Sequence, residues 1–256
     1  MNTTLTSLNL SWNKFDDQSI AGLGTMLREK KMLTTLGLRR CGLGPEGLCE
    51  VCNAVRMNTT MTYIDLSENR FDDKSITCLG TMLRENNVTE LELWSCGLNS
   101  KSLCELSLST TFAFLDLSLN RFDDQNITCL GTMLRENKVL TSLELRNCGL
   151  GEKGLCEVSS ALEMSTTMIY LDLSGNMFNN QSIACLVQLL RNSQTLKTLG
   201  LNRCGLDDGA INSLTKDLEP SKLKILDLRD NPFTTREELK HRYHPYHTKK
   251  RWYLEE

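Results

Sequence analysis

The sequence predicts an α/β solenoid, a curved horseshoe with a parallel β-sheet inside, helices outside and about nine repeats. Three observations predict it. One leucine pattern returns nine times at nearly constant spacing. Two forms of that pattern alternate strictly. Inside each copy an apolar period of two gives way to a period near 3.6.

The first copy runs Leu5, Leu8, Leu10, Asn13, which is L-x-x-L-x-L-x-x-N. The last place is then taken by Cys41, Asn69, Cys96, Asn120, Cys148, Asn176, Cys204 and Asn231, at spacings of 28, 28, 27, 24, 28, 28, 28 and 27 residues. Copies ending in Asn continue as N-x-F-D-D-x-x-I, at Asn13–Ile20, Asn69–Ile76 and Asn120–Ile127. Copies ending in Cys continue as C-G-L, at Cys41, Cys96, Cys148 and Cys204. The duplicated unit is a pair of about 56 residues.

Each element follows from its spacing. L-x-L alternates, so it is a short strand with leucine turned inward. The strands all run the same way, which makes the sheet parallel. In the first copy Ile20, Leu23, Met26 and Leu27 then share one helical face, and in the second Leu48, Val51, Ala54 and Val55 do. Asp17, Asp73 and Asp124 sit where an N-cap belongs, and Pro45 where a first-turn proline belongs. One repeat cannot bury its own leucine ladder, so stability is shared between neighbours. The fourth copy lacks about four residues in its convex helix, between Leu103 and Phe112, so local curvature is expected to change there more than the concave surface.

Long repeats, two alternating forms and a cysteine in the asparagine place resemble the ribonuclease-inhibitor type of leucine-rich repeat. That type is also found in the ligand-sensing regions of NOD-like receptors. The pattern covers residues 1–233. Residues 234–256 are read as a C-terminal helical cap and a basic-aromatic tail. A helix over 234–243 closed by Pro245 is expected there. The resemblance implies an intracellular protein-protein interaction module, such as the sensing part of a NOD-like receptor or a scaffold. It implies as an alternative an inhibitor of a cationic enzyme.

Composition narrows the function. Forty per cent hydrophobic and 24% charged residues suit a folded domain, and a net charge of −3 gives no basic nucleic-acid footprint, so nucleic acid is disfavoured. No stretch of 18 apolar residues exists, so no membrane partner is expected, and no basic and apolar leader is visible at Met1–Leu5. The eleven cysteines are odd in number, which reads as a reducing, cytoplasmic setting. The sequons at Asn2, Asn9, Asn58, Asn87, Asn126 and Asn180 are accordingly read as unused.

No enzyme signature is present, and the three histidines, His241, His244 and His247, all fall in the tail, so the repeats hold no Ser-His-Asp or Cys-His site. Pro245 interrupts the histidine series, so no metal is expected, and no cofactor. The aspartate pairs 16–17, 72–73 and 123–124 read as helix caps rather than paired acids, because the fourth copy has Asn179 and Asn180 instead. Cys41 and Cys96, two strands apart, are about 10 Å from each other by strand spacing, too far for a disulfide. Cys49, Cys104 and Cys156 on one helix type, and Cys78, Cys129 and Cys185 on the other, are expected to be packing positions.

Binding is expected on the concave side, at the strand places leucine does not occupy. The fifth place is acidic in six strands: Asp65, Glu92, Asp116, Glu144, Asp172 and Asp227. Aromatic residues fall on the middle strands: Tyr63, Trp94, Phe114 and Tyr170, with Leu119 beside them. With Glu90 and Arg146 these make the candidate partner site: Tyr63, Glu90, Glu92, Trp94, Phe114, Asp116, Leu119, Glu144, Arg146, Tyr170 and Asp172. Carboxylates stacked on neighbouring strands repel, so a cationic partner would relieve them. The bland alternatives are that Asp is a common filler of this repeat, and that the aromatics cover one another. The first strand, near Leu5, has nothing before it, and a cover or upstream domain is expected at that edge.

Overall fold

The computed structural model describes residues 4–107, 109–122, 127–216, 221–235, 239 and 251–253. Nine three-residue strands, β1 (Ser7–Asn9), β2 (Thr35–Gly37), β3 (Tyr63–Asp65), β4 (Glu90–Glu92), β5 (Phe114–Asp116), β6 (Ser142–Glu144), β7 (Tyr170–Asp172), β8 (Thr198–Gly200) and β9 (Ile225–Asp227), pair in chain order, all parallel. Helices connect them: α1 (Asp17–Glu29), α2 (Pro45–Val55), α3 (Asp73–Glu85), α4 (Ser100–Leu106), α5 (Thr128–Glu136), α6 (Glu152–Leu162), α7 (Asn180–Asn192) and α8 (Asp208–Lys216). The register is uniform, each strand centre facing the next: Leu8, Leu36, Ile64, Leu91, Leu115, Leu143, Leu171, Leu199 and Leu226. From Leu36 onward these centres are buried between sheet and helices, whereas Leu8, on a strand with one neighbour, is only partly so.

The alternation of Asn and Cys has a hydrogen-bonding cause. Asn69 Nδ2 donates to the carbonyls of Leu38 and Leu66, at 2.8 and 2.9 Å. Its Oδ1 accepts from the backbone of Cys41 and Leu43 in the preceding repeat, at 3.2 and 3.1 Å. The same set recurs at Asn120, Asn176 and Asn231. The turn after an Asn copy closes differently: Phe71 N–H donates to the Cys96 carbonyl. Cys96 Sγ in turn donates to the Leu66 carbonyl at 3.3 Å. Two Cys copies in succession would leave two buried N–H groups of the first without an acceptor.

The residue just before each ladder position is left-handed. Trp12, Arg40, Glu68, Ser95, Leu119, Asn147, Arg203 and Asp230 have φ between 51° and 66°, and Gly175 has 72°. One backbone form therefore closes every strand, at a conformational cost in eight copies of nine.

Helix starts differ by one residue from expectation. The N-caps are Asp16, Asp72 and Asn179, the first of each pair, while Asp17, Asp73 and Asn180 are the first helical residues. Asp72 Oδ1 accepts from Ser75 N–H at 2.8 Å and Ser75 Oγ accepts from the Asp72 N–H, so serine at the third helical place closes a capping box. The pair 123–124 lies outside the described residues. Helix α4 has seven residues against eleven in α2 and α6, which locates the deletion in the convex layer.

The helix cysteines need a larger correction. They are not merely packing residues. Cys49–Cys78, Cys104–Cys129 and Cys156–Cys185 are disulfides, with Cα atoms 5.3, 4.9 and 5.1 Å apart. Each joins a helix of a Cys copy to the helix that follows. The opposite junctions are built otherwise: Gly24, Gly80 and Gly131 leave room for Glu50, Glu105 and Glu157 of the next helix. Arg28 and Arg135 hold Glu50 and Glu157 at 2.6 and 2.7 Å. The ladder cysteines Cys41, Cys96, Cys148 and Cys204 are free and buried, as is Cys52.

At the C-terminal side, Arg251–Tyr253 forms β10, parallel to β9, with Trp252 opposite Leu226. A tenth strand from the tail was not expected. Most of the expected helix at 234–243, and the three histidines, lie outside the described residues.

Candidate functional site

The uniform register turns alternate strand places into three rows on the concave sheet. One row carries Tyr63, Glu90, Phe114, Ser142 and Tyr170. The next carries Asp65, Glu92, Asp116, Glu144 and Asp172, five carboxylates on five adjacent strands. The third, just past the strands, carries Ser67, Trp94, Ser118, Arg146 and Ser174. The aromatics are therefore divided: Tyr63, Phe114 and Tyr170 stand on alternate strands of one row, and Trp94 stands in another.

Part of the acidic row has a local structural duty. Asp65, Asp116 and Asp172 each accept, through Oδ1, the N–H of the serine two residues on, at 2.8–2.9 Å. Those serines then accept from the next strand: Ser67 Oγ from Trp94 N–H and Ser118 Oγ from Arg146 N–H, at 3.2 and 3.1 Å. The D-x-S spelling of the Asn copies is thus a strand-to-strand coupling, and this explains why Asp recurs there. Glu92 and Glu144 have no such duty. They project between the aspartates, where the equivalent places of β2 and β8 are Gly37 and Gly200. A Cβ on Gly200 would lie 2.5 Å from Asp172 Oδ1.

Two glutamates of the row have raised carboxyls. Burial, followed by the charges of Asp65 and Asp116, raises the Glu92 carboxyl above its ordinary range, against the hydrogen bond from Tyr63. Burial raises Glu144 likewise, with Asp116 and Asp172 adding to it and Arg146 opposing. Tyr63 Oη donates to Glu92 at 2.9 Å. Burial and then Asp172 push the Tyr170 hydroxyl up to about 12. Arg146 pairs with Glu144 and, at 2.9 Å, with Asp172. Among the described residues no cation forms an ion pair with Glu92 or Asp116.

These two carboxylates line the floor of a depression of about 290 Å³, together with Arg39, Trp94, Leu119, Glu144, Arg146 and Asn147. Leu119 is 43% exposed and left-handed. Trp94 is half-buried, because the Arg39 guanidinium lies 4.5 Å from its ring centroid. Arg39 is itself held by Glu68 at 2.7 Å and stands 5.5 Å from the Trp12 ring.

Every residue expected in the site lies on this concave strip, and the structure brings Glu92, Trp94, Asp116, Leu119, Glu144 and Arg146 to one depression. Tyr170 and Asp172 line a second one beside it. Tyr63, Glu90 and Phe114 border the first in the adjoining row. Arg39 is missing from the expected site, and Asp65 belongs to the expected acidic row but not to the expected partner site. Arg39 sits at the same strand place as Arg146, which was the available signal.

A leucine-rich repeat model matches residues 2–24, 58–80 and 136–156. Mouse NACHT, LRR and PYD domains-containing protein 14 is 29% identical over 233 residues, covering 88% of this chain and 24% of that protein. The pig ribonuclease inhibitor is 28% identical over 237 residues, covering 89% of this chain and 52% of that protein. The chain thus spans about a quarter of the one relative and about half of the other. Among solved structures, the leucine-rich repeat-containing protein LegL7 of Legionella pneumophila matches with a TM-score of 0.58 at 18% identity, over 90% of this chain and 76% of that one. An internalin of Listeria monocytogenes matches at 0.57 and 17%, over 98% and 80%. These two share the fold.

Proposed function

Taking as premise that this chain is a leucine-rich repeat protein of the ribonuclease-inhibitor-like type, we propose that it binds a protein partner on its concave strip and catalyses nothing itself. The observation that supports this most is the Glu92–Asp116 pair. Two carboxylates that form no ion pair among the described residues, one of them raised by burial and neighbouring charge, line a depression with Arg39, Trp94 and an exposed, left-handed Leu119. An approaching lysine or arginine side chain would relieve the repulsion, and the aromatic and apolar rim would supply contact area. The partner therefore presents a basic side chain to Glu92 and Asp116. Tyr170, Asp172, Glu144 and Arg146 extend the contact toward β7, and Tyr63, Glu90 and Phe114 border it.

In this reading the chain acts as a sensing or scaffolding segment, as the similarity to the NACHT, LRR and PYD domain proteins suggests. Pull-downs with wild type and a Trp94→Ala/Tyr170→Ala variant test the surface. Partners recovered by the wild type are lost from the variant. Equal recovery overturns the reading. A second reading, inhibition of a cationic ribonuclease, is favoured by the 28% identity to the pig inhibitor and by the carboxylate row. A ribonuclease inhibition titration decides it, and full activity at saturating protein refutes it.

A further inference from the structure

The three disulfides are equivalent by repeat position but not in their surroundings. Around Cys49–Cys78, the neighbouring helix places hold Asn53, Arg56, Lys74, Thr77 and Thr81. Arg56 bridges to Glu85 at 2.8 Å and Lys74 to Glu46 at 2.7 Å, and Cys49 is 6% exposed while Cys78 is partly buried. Around Cys156–Cys185 the same places hold Ser160, Glu163, Gln181, Ala184 and Gln188, shorter or uncharged except for Glu163. There the two cysteines line an open groove of about 360 Å³ with those five residues. Glu163 is engaged by the side-chain amides of Gln188 and Asn192.

We propose that Cys156–Cys185 is a thiol–disulfide exchange site on the convex face, opened and closed by a dithiol reductant and its disulfide form. Exchange requires a thiolate to approach a sulfur along the bond it breaks, so access limits the rate. The reductant's first thiolate attacks one Sγ and forms a mixed disulfide, and the other cysteine leaves as a thiolate and takes up a proton. The reductant's second thiolate then attacks its own first sulfur, and the remaining protein cysteine leaves as a thiolate and takes up a proton. The chain gains two electrons and two protons as two thiols, and the reductant becomes a cyclic disulfide. The solenoid survives the step, because Leu155, Val158, Ile183 and Leu186 of the two helices remain buried in the common core. The buried thiols take no part: burial pushes Cys52, Cys96, Cys148 and Cys204 up to about 12, which leaves them as inert thiols at neutral pH.

The test is a dithiothreitol time course on the air-oxidised full chain, trapped with N-ethylmaleimide and read by peptide mass spectrometry alongside far-UV circular dichroism. Cys156 and Cys185 are expected to become labelled at least ten times faster than Cys49 and Cys78, with the dichroism unchanged. Ala184→Arg, on the exposed lip of the groove, slows that labelling severalfold and leaves the other two pairs alone. Equal rates for Cys156–Cys185 and Cys49–Cys78, opening only with loss of helical signal, or free Cys156 and Cys185 thiols in the air-oxidised protein would each overturn the proposal.

Discussion

Arg39 lies over the face of Trp94, its guanidinium carbon 4.5 Å from the ring centroid, although a whole strand separates β2 from β4. The small Ser67 on the intervening repeat leaves the path open. Trp94 is thereby held in one orientation beside the carboxylates, which lowers the ordering entropy that the proposed binding would have to overcome. Replacing Arg39 with Ala uncovers the indole. Acrylamide quenching of Trp94, in a Trp12→Phe/Trp252→Phe background, is expected to rise about twofold, against an unchanged fold by circular dichroism.

The ladder predicts an asymmetry between its two residue types. Asn69→Ala leaves the N–H groups of Cys41 and Leu43 without their acceptor and two carbonyls without their donor. A loss of roughly 2–4 kcal/mol is expected from several buried groups at once. Cys96→Ala forfeits only a thiol's weak donation and a little volume, for about 1 kcal/mol. Urea melts of the two variants check the order.

Glu92 should cost stability in the folded chain. Its folded carboxyl is raised, so the folded chain holds this proton more tightly than the unfolded chain does. Stability from this group is therefore greatest below the unfolded carboxyl range and falls as pH rises through the folded one. Above that window Glu92→Gln is expected to be the more stable protein, by no more than about 1 kcal/mol given its partial exposure. Asp72 runs the other way. Hydrogen bonds from Ser75 hold it low, so its contribution is lost as pH falls through the folded value. Chemical denaturation of wild type, Glu92→Gln and Asp72→Asn between pH 3 and 8 separates the two signs.

Leu119 should exchange stability for surface. It is left-handed where the seventh copy has Gly175. Leu119→Gly removes a conformational penalty of about 1–2 kcal/mol, part of which returns as unfolded-chain entropy. A Tm raised by a few degrees with weakened partner binding is expected. A lowered Tm would mean that Leu119 supports the fold rather than the surface.

Much of this was legible in the sequence because the fold is local and repetitive. The strand alternation, helix faces and ladder spacing each lie within one copy of 24–28 residues. Capping was legible in kind but not in position, since Asp16 and Asp17 differ only in which one the Ser19 N–H reaches. The disulfides were missed for a geometric reason. Strand spacing rules out bridges along the Cys41–Cys96 ladder, but Cys49 and Cys78 sit on adjacent parallel helices, where the rotation of each helix decides whether two sulfurs meet. Their nearly equal distances from the helix starts were the available signal. The carboxylate row was legible as composition, whereas the serine coupling that explains Asp65, Asp116 and Asp172 crosses between copies. Glu92 and Glu144 stand outside that coupling and are held by Tyr63 and Arg146 instead.

The proposed binding surface is the concave strip around Glu92 and Asp116. Site-specific photo-crosslinking tests it most directly, with a benzophenone amino acid placed in turn at Leu119 and, on the convex side, at Gln188. A partner captured from Leu119 and not from Gln188, and lost on Glu92→Gln/Asp116→Asn, is the result expected. Capture of the same partner from Gln188 with none from Leu119 would contradict it.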